Sequence, residues 1–376
     1  MLSFLHNLLA WAPLGLPAFV FVVTFVVFFH ELGHFLVARA CGVAIETFSI
    51  GFGREIFGWT DTKGTRWKIS WLPFGGYVKF LGDENAASTP DREHIAQLSE
   101  TERPHAYHLK PLYQRALVAV AGPAANFVLA FIVFTFLYVA FGAKALSTYV
   151  GAVSPNSPAA MAGIKTGDKI ASVNGKPVKL FIELKEFIES NKGKPLSISI
   201  DRNGRPMTLQ VTPRYIETKD IFGSPVKDVL IGVGYGEETV ENTVYLHVSP
   251  LKAPLYAASA CWGIVDATFT YLWRIVSHHA DSSQLGGPVG IAQAAKSAAS
   301  HGFYDLIYLV ALISVSIGLF NLFPIPLLDG GHLLYYGCEA VLGRPLGERV
   351  QDVGFRVGLS LLLGLMIVLT WNDLVR

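Results

Sequence analysis

The stretch His30-Glu31-Leu32-Gly33-His34 lies inside the first apolar segment of the chain, and it indicates both a membrane helix and a metal site. No Asp, Glu, Lys or Arg precedes Glu31, so this glutamate is the first formal charge in the sequence. On a helix, residues i and i+4 share one face, so these two imidazoles can bind one Zn²⁺ with the glutamate beside the water that the ion activates. Ionisable side chains are costly inside a bilayer, and their presence there points to chemistry.

The composition is that of a multi-pass membrane protein that also carries some water-exposed mass. Of the 376 residues, 51% are hydrophobic and 16% are charged, and the mean hydropathy is +0.41. Such a profile is far more apolar than that of an ordinary soluble domain. The net charge of +1 gives no case for a nucleic-acid partner. The three scattered cysteines, Cys41, Cys261 and Cys338, form neither a disulfide framework nor a cysteine-based zinc motif.

Four segments are long and apolar enough to span a bilayer, which needs about 20 residues. They cover roughly residues 14–39, 116–143, 306–328 and 355–372. Lysines and arginines are frequent in the loop after the first segment and between the third and fourth segments. Because short cytoplasmic loops are enriched in these residues, the positive-inside rule predicts that both loops are cytoplasmic. The termini and the region 144–304 are then expected on the other side of the membrane.

Between the spans, two regions have the patterns of other structures. Residues 43–112 contain short alternating segments bounded by glycines, which indicate strands, followed by a polar loop. Residues 146–215 predict a compact α/β module with a helix over 181–190 and a hairpin turning at Asn203-Gly204. The predicted organisation is therefore 1–42 first transmembrane helix, 43–112 cytoplasmic-side β-rich re-entrant region and loop, 113–143 second transmembrane helix, 146–215 α/β module, 216–304 extracytoplasmic linker and amphipathic helix, 305–337 third transmembrane segment, and 338–376 loop and fourth transmembrane helix.

A zinc hydrolase needs a third protein ligand and an open position for water. The end of the third span offers one in the stretch Asn321-Leu-Phe-Pro-Ile-Pro-Leu-Leu-Asp-Gly-Gly-His332. Its two prolines, Pro324 and Pro326, break the helix, which at membrane depth is tolerated only where the backbone is buried in protein or lines a polar cavity. Asp329 follows this break and is the favoured third ligand, with His332 as a rival. Asn321 is a candidate for binding the oxyanion or the substrate backbone, or else it is a helix-packing amide.

The paired motifs, H-E-x-x-H in the first span and N-x-x-P-x-P-x-L-D-G-G in a late span, resemble those of the site-2 protease family of intramembrane zinc metalloproteases. The branch of bacterial regulators of sigma-E protease is similar also at 48–53, 73–79, 121–126 and 286–292. The α/β module resembles a bacterial circularly permuted PDZ domain, a class that binds an extended peptide at a sheet edge. Well-known members of this branch carry two tandem PDZ domains, whereas this chain has room for one.

The resemblance implies that His30, His34 and Asp329 are the ligands of a Zn²⁺ cofactor and that Glu31 is the catalytic acid and base. It implies substrate contacts at Asn321, Pro324, Pro326, Gly51 and Phe52. The substrates would be transmembrane segments of single-pass proteins, either an anti-sigma factor or signal-peptide remnants. The partners would also include the lipid bilayer and a peptide or protein ligand of the PDZ domain. The expected location is the bacterial inner membrane, with the PDZ domain outside and the active site toward the cytoplasm.

The same residues leave other functions open. The segment 121–126, Ala-Gly-Pro-Ala-Ala-Asn, is interpreted as close packing of small residues between helices. The PDZ-like module is either a peptide-binding domain or a steric gate without a ligand. The whole chain is alternatively a non-catalytic PDZ-bearing membrane scaffold, although no catalytic or ligand residue is missing. It is also alternatively a zinc-handling membrane protein, although the second and fourth spans offer almost no further polar residues for an ion path. The depth of His30 disfavours a protease for soluble peptides.

Overall fold

The computed structural model of the protein describes residues 2–85, 89–219, 225–235, 242–277 and 286–375. The chain forms two compact units. The first unit contains Met1–Phe136, Ala253–Thr270 and Leu285–Arg376, and the second contains Leu137–Lys252 and Tyr271–Gln284. The candidate metal site lies entirely within the first unit.

Long helices dominate the first unit, and short strands dominate the second. The helices are α1 (Leu2–Ala40), α2 (Arg92–Gln97), α3 (Leu112–Ala140), α4 (Pro158–Ala162), α5 (Phe181–Ser190), α6 (Ala253–Val276), α7 (Pro288–His301), α8 (Phe303–Asn321), α9 (Asp329–Leu342) and α10 (Glu348–Val375). The strands are β1 (Ile45–Thr60), β2 (Arg66–Phe80), β3 (Ala143–Leu146), β4 (Ala152–Val153), β5 (Lys169–Val173), β6 (Lys176–Pro177), β7 (Leu196–Arg202), β8 (Arg205–Val211), β9 (Arg214–Lys219), β10 (Pro225–Leu230), β11 (Val233–Gly234) and β12 (Thr243–Leu246).

Among the described residues, four helices are long and apolar enough to cross a membrane, as predicted. These candidate spans are Leu14–Ala40 in α1, Leu112–Ala140 in α3, Phe303–Asn321 in α8 and Arg349–Val375 in α10. The amphipathic helix α6 is not among them. In the most apolar 18-residue stretch of α10, only 6% is buried inside the protein. Since large exposed apolar surfaces mark membrane contacts, α10 presents most of its circumference to lipid. The predicted fold class, a multi-pass helical membrane protein with a β-rich region and an α/β module, is confirmed.

The predicted third transmembrane segment, 305–337, is not one continuous helix. Helix α8 ends at Asn321, and α9 begins only at Asp329. Pro324 and Pro326 lie in the gap, where the missing backbone N–H groups prevent the helical hydrogen bonds from continuing. Asp329 therefore lies at the first turn of a new helix, where the positive end of the helix dipole favours its carboxylate.

The two glycines after Asp329 allow α9 to start directly against the broken segment. A Cβ atom on Gly330 would overlap the carbonyl oxygen of Phe323, and one on Gly331 would lie 2.7 Å from the Cα atom of Pro326. The backbone of Leu327 has a φ of 85°. Positive φ is uncommon for a residue with a side chain and indicates local strain. The two glycines of Asp-Gly-Gly are thus explained by the close contact between the start of α9 and the broken segment, and not by a need for backbone flexibility.

Strands β1 and β2 bend at glycines and form a small sheet against α1. Residues 47–50 pair with 76–79 on one side and with 66–69 on the other. Gly51, with a φ of 85°, allows the bend after the central segment. The segment 76–79 has one neighbouring strand among the described residues, so it forms an edge of this sheet. This arrangement agrees with the β-rich character predicted for 43–112.

An aromatic cluster joins this sheet to the C-terminal end of α1. The ring of Phe48 stacks on Trp67 at 4.4 Å between centroids, and Phe35 of α1 meets both rings at 5.5 and 4.8 Å. Beside it, Arg39 bonds Asp61 at 2.6 Å. Burial alone would raise the pKa of Asp61, but the hydrogen bonds it accepts from Arg39, Trp67 and the turn backbone lower the pKa well below its usual value. The sheet is therefore held firmly to the helix that carries the H-E-x-x-H motif.

The second unit is the predicted α/β module, but it extends beyond residue 215. The predicted helix over 181–190 is confirmed as α5, and the central sheet has the order β6-β5-β7-β8. Val229 and Ile231 lie in the buried core of this unit, and Val233 of β11 pairs with Val153 of β4. The region predicted as a linker from 216 therefore supplies core side chains and strands. The remainder of 216–304 includes 220–224, 236–241 and 278–285, which lie outside the described residues.

The Gly286-Gly-Pro-Val-Gly290 segment forms the start of α7 around a buried carboxylate. Asp373 of α10 is 7% exposed, and it accepts hydrogen bonds from the backbone N–H of Gly287 at 2.9 Å and of Gly290 at 2.7 Å. A Cβ atom on Gly290 would lie 2.9 Å from an Asp373 oxygen. The glycines thus leave the space in which the carboxylate caps the helix.

Candidate metal centre

His30 and His34 lie one turn apart on α1 and direct their Nε2 atoms to the same point. The two Nε2 atoms are 3.2 Å apart, and the ring planes are inclined at 82°. His30 is 8% exposed, so its polar ring nitrogens require partners within the protein. Helical periodicity alone brings the two imidazoles together, as the sequence predicted.

Asp329 completes a group of three ligand atoms. One carboxylate oxygen, Oδ2, lies 3.1 Å from His30 Nε2, and the other, Oδ1, lies 3.4 Å from His34 Nε2. The ligand atoms of the three residues all lie within 4.8 Å of one another. His332, the rival ligand, does not belong to this group. The structure therefore brings together the three residues predicted to bind the metal.

The chemistry of these donors fits zinc. Two imidazole nitrogens and one carboxylate oxygen are a common three-ligand set for catalytic zinc, with a fourth position left for water. The Oδ2 atom of Asp329 is buried, and no donor among the described residues reaches it in good hydrogen-bond geometry, although His30 Nε2 lies 3.1 Å away. A buried carboxylate oxygen without a donor is costly, and a cation between the three side chains would satisfy it. The donor set and the orphaned oxygen thus agree with a zinc ion bound by His30, His34 and Asp329.

Glu31 lies beside this group, in a cavity of about 190 Å³. The cavity has a mixed lining from the helices and from the edge segment of the sheet: His30, Glu31, His34, Val78, Phe80, Tyr107, Val118, Ala119, Asn321, Leu327, Asp329 and His332. Glu31 and Val78 both line this cavity, so the carboxylate lies near the backbone of the edge segment. Gly76 leaves room for Glu31, since a Cβ atom there would lie 3.3 Å from the Glu31 Cγ atom. The predicted base thus faces both the metal ligands and the edge of the sheet.

A second cavity, of about 710 Å³, adjoins the first one at Leu327 and His332. Its walls include ionisable side chains, among them His108, Arg115 and Glu339. Arg115 and Glu339 form an ion pair of 2.5 Å that connects α3 to α9. This pair holds α9, which begins at Asp329, against α3, which packs on the two histidines.

The residues predicted to bind substrate are at different distances from the ligands. Asn321 lines the smaller cavity, where its side-chain amide donates to the Ile317 carbonyl at 3.0 Å. Pro326 lines the larger cavity. Pro324, Gly51 and Phe52 line neither cavity; Phe52 instead stacks on Tyr77 at 6.0 Å. Only Asn321 of this set is therefore close enough to act at the metal site in this conformation.

Helix α3 contributes contacts to both histidines, and the sequence interpretation missed them. The Nδ1 atom of His34 lies 2.7 Å from the carbonyl oxygen of Val118. Gly122 leaves space for the ring of His34, because a Cβ atom there would overlap the ring. The Nδ1 atom of His30 lies 3.2 Å from the side-chain amide of Asn126, which is fully buried. A fully buried asparagine in an apolar span was the signal that could have revealed this second layer.

Comparison with known proteins identifies the family. The family model described as peptidase family M50 matches residues 18–365. The chain belongs to peptidase family M50. This M50 peptidase is 41% identical, over 95% of its length and 94% of the relative's, to a protein of Agrobacterium fabrum whose name describes a zinc metalloprotease. It is 40% identical to the metalloprotease MmpA of Caulobacter vibrioides, over 96% of this chain and 95% of that one. The predicted zinc cofactor and peptidase activity are therefore confirmed.

More distant relatives and solved structures were also found. The regulator of sigma-E protease RseP of Salmonella typhimurium is 29% identical to this M50 peptidase over 100% of both chains. A solved HtrA3 PDZ domain bound to a phage-derived ligand is 33% identical over 18% of this chain and 59% of the domain, with a TM-score of 0.17. A PDZ domain of an SdrC-like protein from Listeria innocua is 25% identical over 25% of this chain and 97% of the domain, with a TM-score of 0.19. The resemblance to the site-2 protease family, drawn from the sequence motifs, is confirmed.

Proposed function

We propose that this M50 peptidase is an intramembrane endopeptidase that cleaves transmembrane segments of single-pass membrane proteins. The observation that supports this proposal is the convergence of His30 and His34, on a helix apolar enough to span a membrane, with Asp329 at the start of α9. The ligand atoms of the three residues lie within 4.8 Å of one another, and Glu31 is beside them. A hydrolytic site at that position acts on peptide bonds within or next to the bilayer.

The residues of the chain divide the chemistry among themselves. Bound zinc supplies Lewis-acid activation of water and polarisation of the scissile carbonyl. The three ligand side chains hold the ion, and Glu31 takes a proton from the attacking water and returns it to the leaving amine. The side-chain amide of Asn321, in the same cavity, is placed to donate a hydrogen bond to the substrate. The apolar helices around the cavity limit the entry of further water.

The edge segment 76–79 supports a way of holding the substrate. Backbone groups of a transmembrane helix are bonded internally, so the helix must unwind before its peptide bonds can be reached. A strand edge offers replacement bonds to an extended peptide. Val78 of this edge lines the same cavity as Glu31, so a substrate strand added here would lie next to the base. The geometry favours a substrate with a locally weak helix.

The finer assignments follow from the motifs and from the charge distribution. Anti-sigma factors and signal-peptide remnants are the proposed substrate classes, in keeping with the name of the Salmonella relative. The α/β module is the proposed PDZ domain, and a peptide or protein ligand at its sheet edge would regulate access. The clusters of lysine and arginine support a proposed orientation with the active site toward the cytoplasm and the PDZ domain on the outer side of the bacterial inner membrane.

The test uses the purified full chain in liposomes with a tagged single-pass substrate. Wild type, Glu31→Gln and a matched control, Glu93→Gln on the exposed face of α2, are compared for zinc content and for cleavage. All three proteins are expected to bind zinc, and only Glu31→Gln is expected to lose cleavage inside the hydrophobic segment. If Glu31→Gln cuts as wild type does, Glu31 is not the base. If zinc is bound and none of the proteins cuts a panel of substrates, a membrane scaffold or a zinc-handling protein takes the place of the proposed protease.

A further inference from the structure

We propose that Asn126 is a positioning residue of the zinc site, whose side-chain oxygen accepts a hydrogen bond from Nδ1–H of His30. The inference rests on the proposed ligand set. A neutral imidazole has one N–H, so a histidine that binds metal through Nε2 carries its proton on Nδ1. That N–H normally donates to a carbonyl or a carboxylate, which fixes the tautomer and the ring orientation. Each of the two histidines therefore needs an acceptor at Nδ1.

For His34 the acceptor is a backbone carbonyl, since Val118 O lies 2.7 Å from Nδ1. For His30 the neighbouring group is the side chain of Asn126, 3.2 Å from Nδ1. The two acceptor positions are eight residues apart on α3, so they lie on one helix face, with Gly122 between them. The earlier residue of α3, Val118, contacts the later histidine of α1, His34, and Asn126 contacts His30, so the two helices run antiparallel along this contact. One face of α3 thus carries the group next to Nδ1 of each histidine.

The hydrogen bonds around His30 show which tautomer each amide orientation supports. With the amide nitrogen toward His30, Nδ1 is the acceptor and the proton stands on Nε2, which faces Asp329 Oδ2 at 3.1 Å. With the proton on Nε2, that nitrogen has no free lone pair with which to bind a metal ion. The Asn126 Oδ1 atom is meanwhile buried without a partner. Exchange of the two ends of the amide, which have nearly the same shape, gives Oδ1 the Nδ1–H donor and frees Nε2 for zinc.

Packing alone does not account for the polarity of this residue. Asn126 is fully buried, and a Cβ atom on Gly318 of α8 would lie 3.1 Å from the Asn126 Cβ atom. The backbone carbonyl of Asn126 accepts from Ser314 at 2.8 Å, and this bond does not involve the side chain. A leucine, which has the same branched shape but a larger volume, would make apolar helix contacts at no cost in buried polar atoms. The amide is needed only by His30.

The test measures zinc affinity of the full chain in detergent by competition with a chelator, together with metal-free thermal stability. Asn126→Leu removes the acceptor, and it is expected to weaken zinc binding by about 10- to 100-fold, the usual effect of losing an outer-shell partner. Asn126→Asp keeps an acceptor oxygen and is expected to bind zinc at least as tightly as wild type. Ser314→Ala disturbs the same contact between α3 and α8 without touching His30, and it is expected to leave zinc affinity unchanged.

The outcomes separate this inference from the ligand set itself. His30→Ala must abolish binding of the single zinc ion; if it does not, the ligand assignment fails, and the role of Asn126, which depends on His30, fails with it. If His30→Ala abolishes binding and Asn126→Leu does not weaken it, only the role of Asn126 fails. Wild-type affinity in Asn126→Leu overturns the inference, as does equal weakening in Ser314→Ala. If Asn126→Leu does not fold, Asn126→Asp decides alone, because a packing role predicts weaker binding from a buried carboxyl and a positioning role does not.

Discussion

Replacement of Gly122 by alanine is expected to abolish productive zinc binding through one added methyl group. A Cβ atom at this position would overlap the ring of His34, lying 2.6 Å from its Cε1 atom and 2.8 Å from its Cδ2 atom. Ordinary contact begins near 3.4 Å. The ring must therefore retreat by roughly 1 Å, because carbon atoms attract one another only beyond about 3.5 Å.

A displacement of that size is large for a metal ligand. Zinc–nitrogen bonds are about 2.0–2.1 Å long and tolerate deviations of about 0.2 Å. The ring has little freedom to rotate away, since the Nδ1 atom of His34 is bonded to Val118 O. Loss of an outer-shell partner already costs about 10- to 100-fold in metal affinity, so displacement of the ligand itself is expected to cost at least about 100-fold. Overpacking also lowers metal-free stability by about 1–3 kcal/mol.

The assay is chelator competition for zinc, with thermal unfolding of the metal-free protein in detergent as the second readout. Gly337→Ala is the matched control, because a Cβ atom on this glycine of α9 has no neighbour within 4 Å. Alanine there is expected to leave zinc affinity unchanged and to stabilise the helix by about 0.5–1 kcal/mol. Wild-type zinc affinity in Gly122→Ala would refute the steric reasoning, since it would mean that the ring and α3 separate easily.

Two further predictions concern the sheet edge and the second unit. Val78→Pro removes a backbone N–H from the edge segment that lines the cavity of Glu31, and it is expected to abolish cleavage with zinc content retained. Val78→Ala keeps the N–H and the activity. Cleavage by the proline variant would contradict strand addition at this edge. In the second unit, burial raises the pKa of Asp168, but its hydrogen bonds with Arg202 at 2.7 and 2.8 Å outweigh burial and lower that pKa below the unfolded value of about 3.9. The stabilisation is present above about pH 4 and is lost as the pH falls toward the folded pKa. Protection of the β7 and β8 amides in the full chain, measured as the exchange rate relative to the intrinsic rate at each pH, should decrease over that range in wild type and much less in Asp168→Asn. An equal decrease in both proteins would exclude this ion pair as the cause.

The sequence was sufficient for those parts of the site that depend on local geometry. The spacing of His30 and His34 places both rings on one helix face in any helix. Two prolines before Asp329 predict a broken helix at membrane depth, and such a break needs a polar cavity. The four spans follow from length and hydropathy. Each of these inferences needs only neighbours within about ten residues, so no tertiary contact could overturn it.

The parts that the sequence did not predict depend on contacts between distant segments. The carbonyl of Val118 is a backbone atom and has no residue signature at all. The extension of the second unit to Ile231 and Val233 depends on pairing with β4, about eighty positions earlier. Likewise, the Gly287 and Gly290 amides meet Asp373 from another helix. In each case the residue types were compatible with a simpler local explanation, either a linker or a flexible turn.

The position of the site within apolar helices explains why the two histidines have hydrogen-bonding partners on α3. In a water-exposed zinc site, solvent can accept the second N–H of a histidine ligand, but the hydrocarbon region offers no water for that purpose. The protein must then provide an acceptor for each ring, and the nearest helix must approach closely enough to do so. Gly33 of α1 and Ala125 of α3 allow that approach, since a Cβ atom on Gly33 would lie 2.7 Å from the Cβ atom of Ala125. The small residues between α1 and α3 are therefore a requirement of the metal chemistry and not only of helix packing: they bring Val118 and Asn126 within hydrogen-bonding distance of the two histidines.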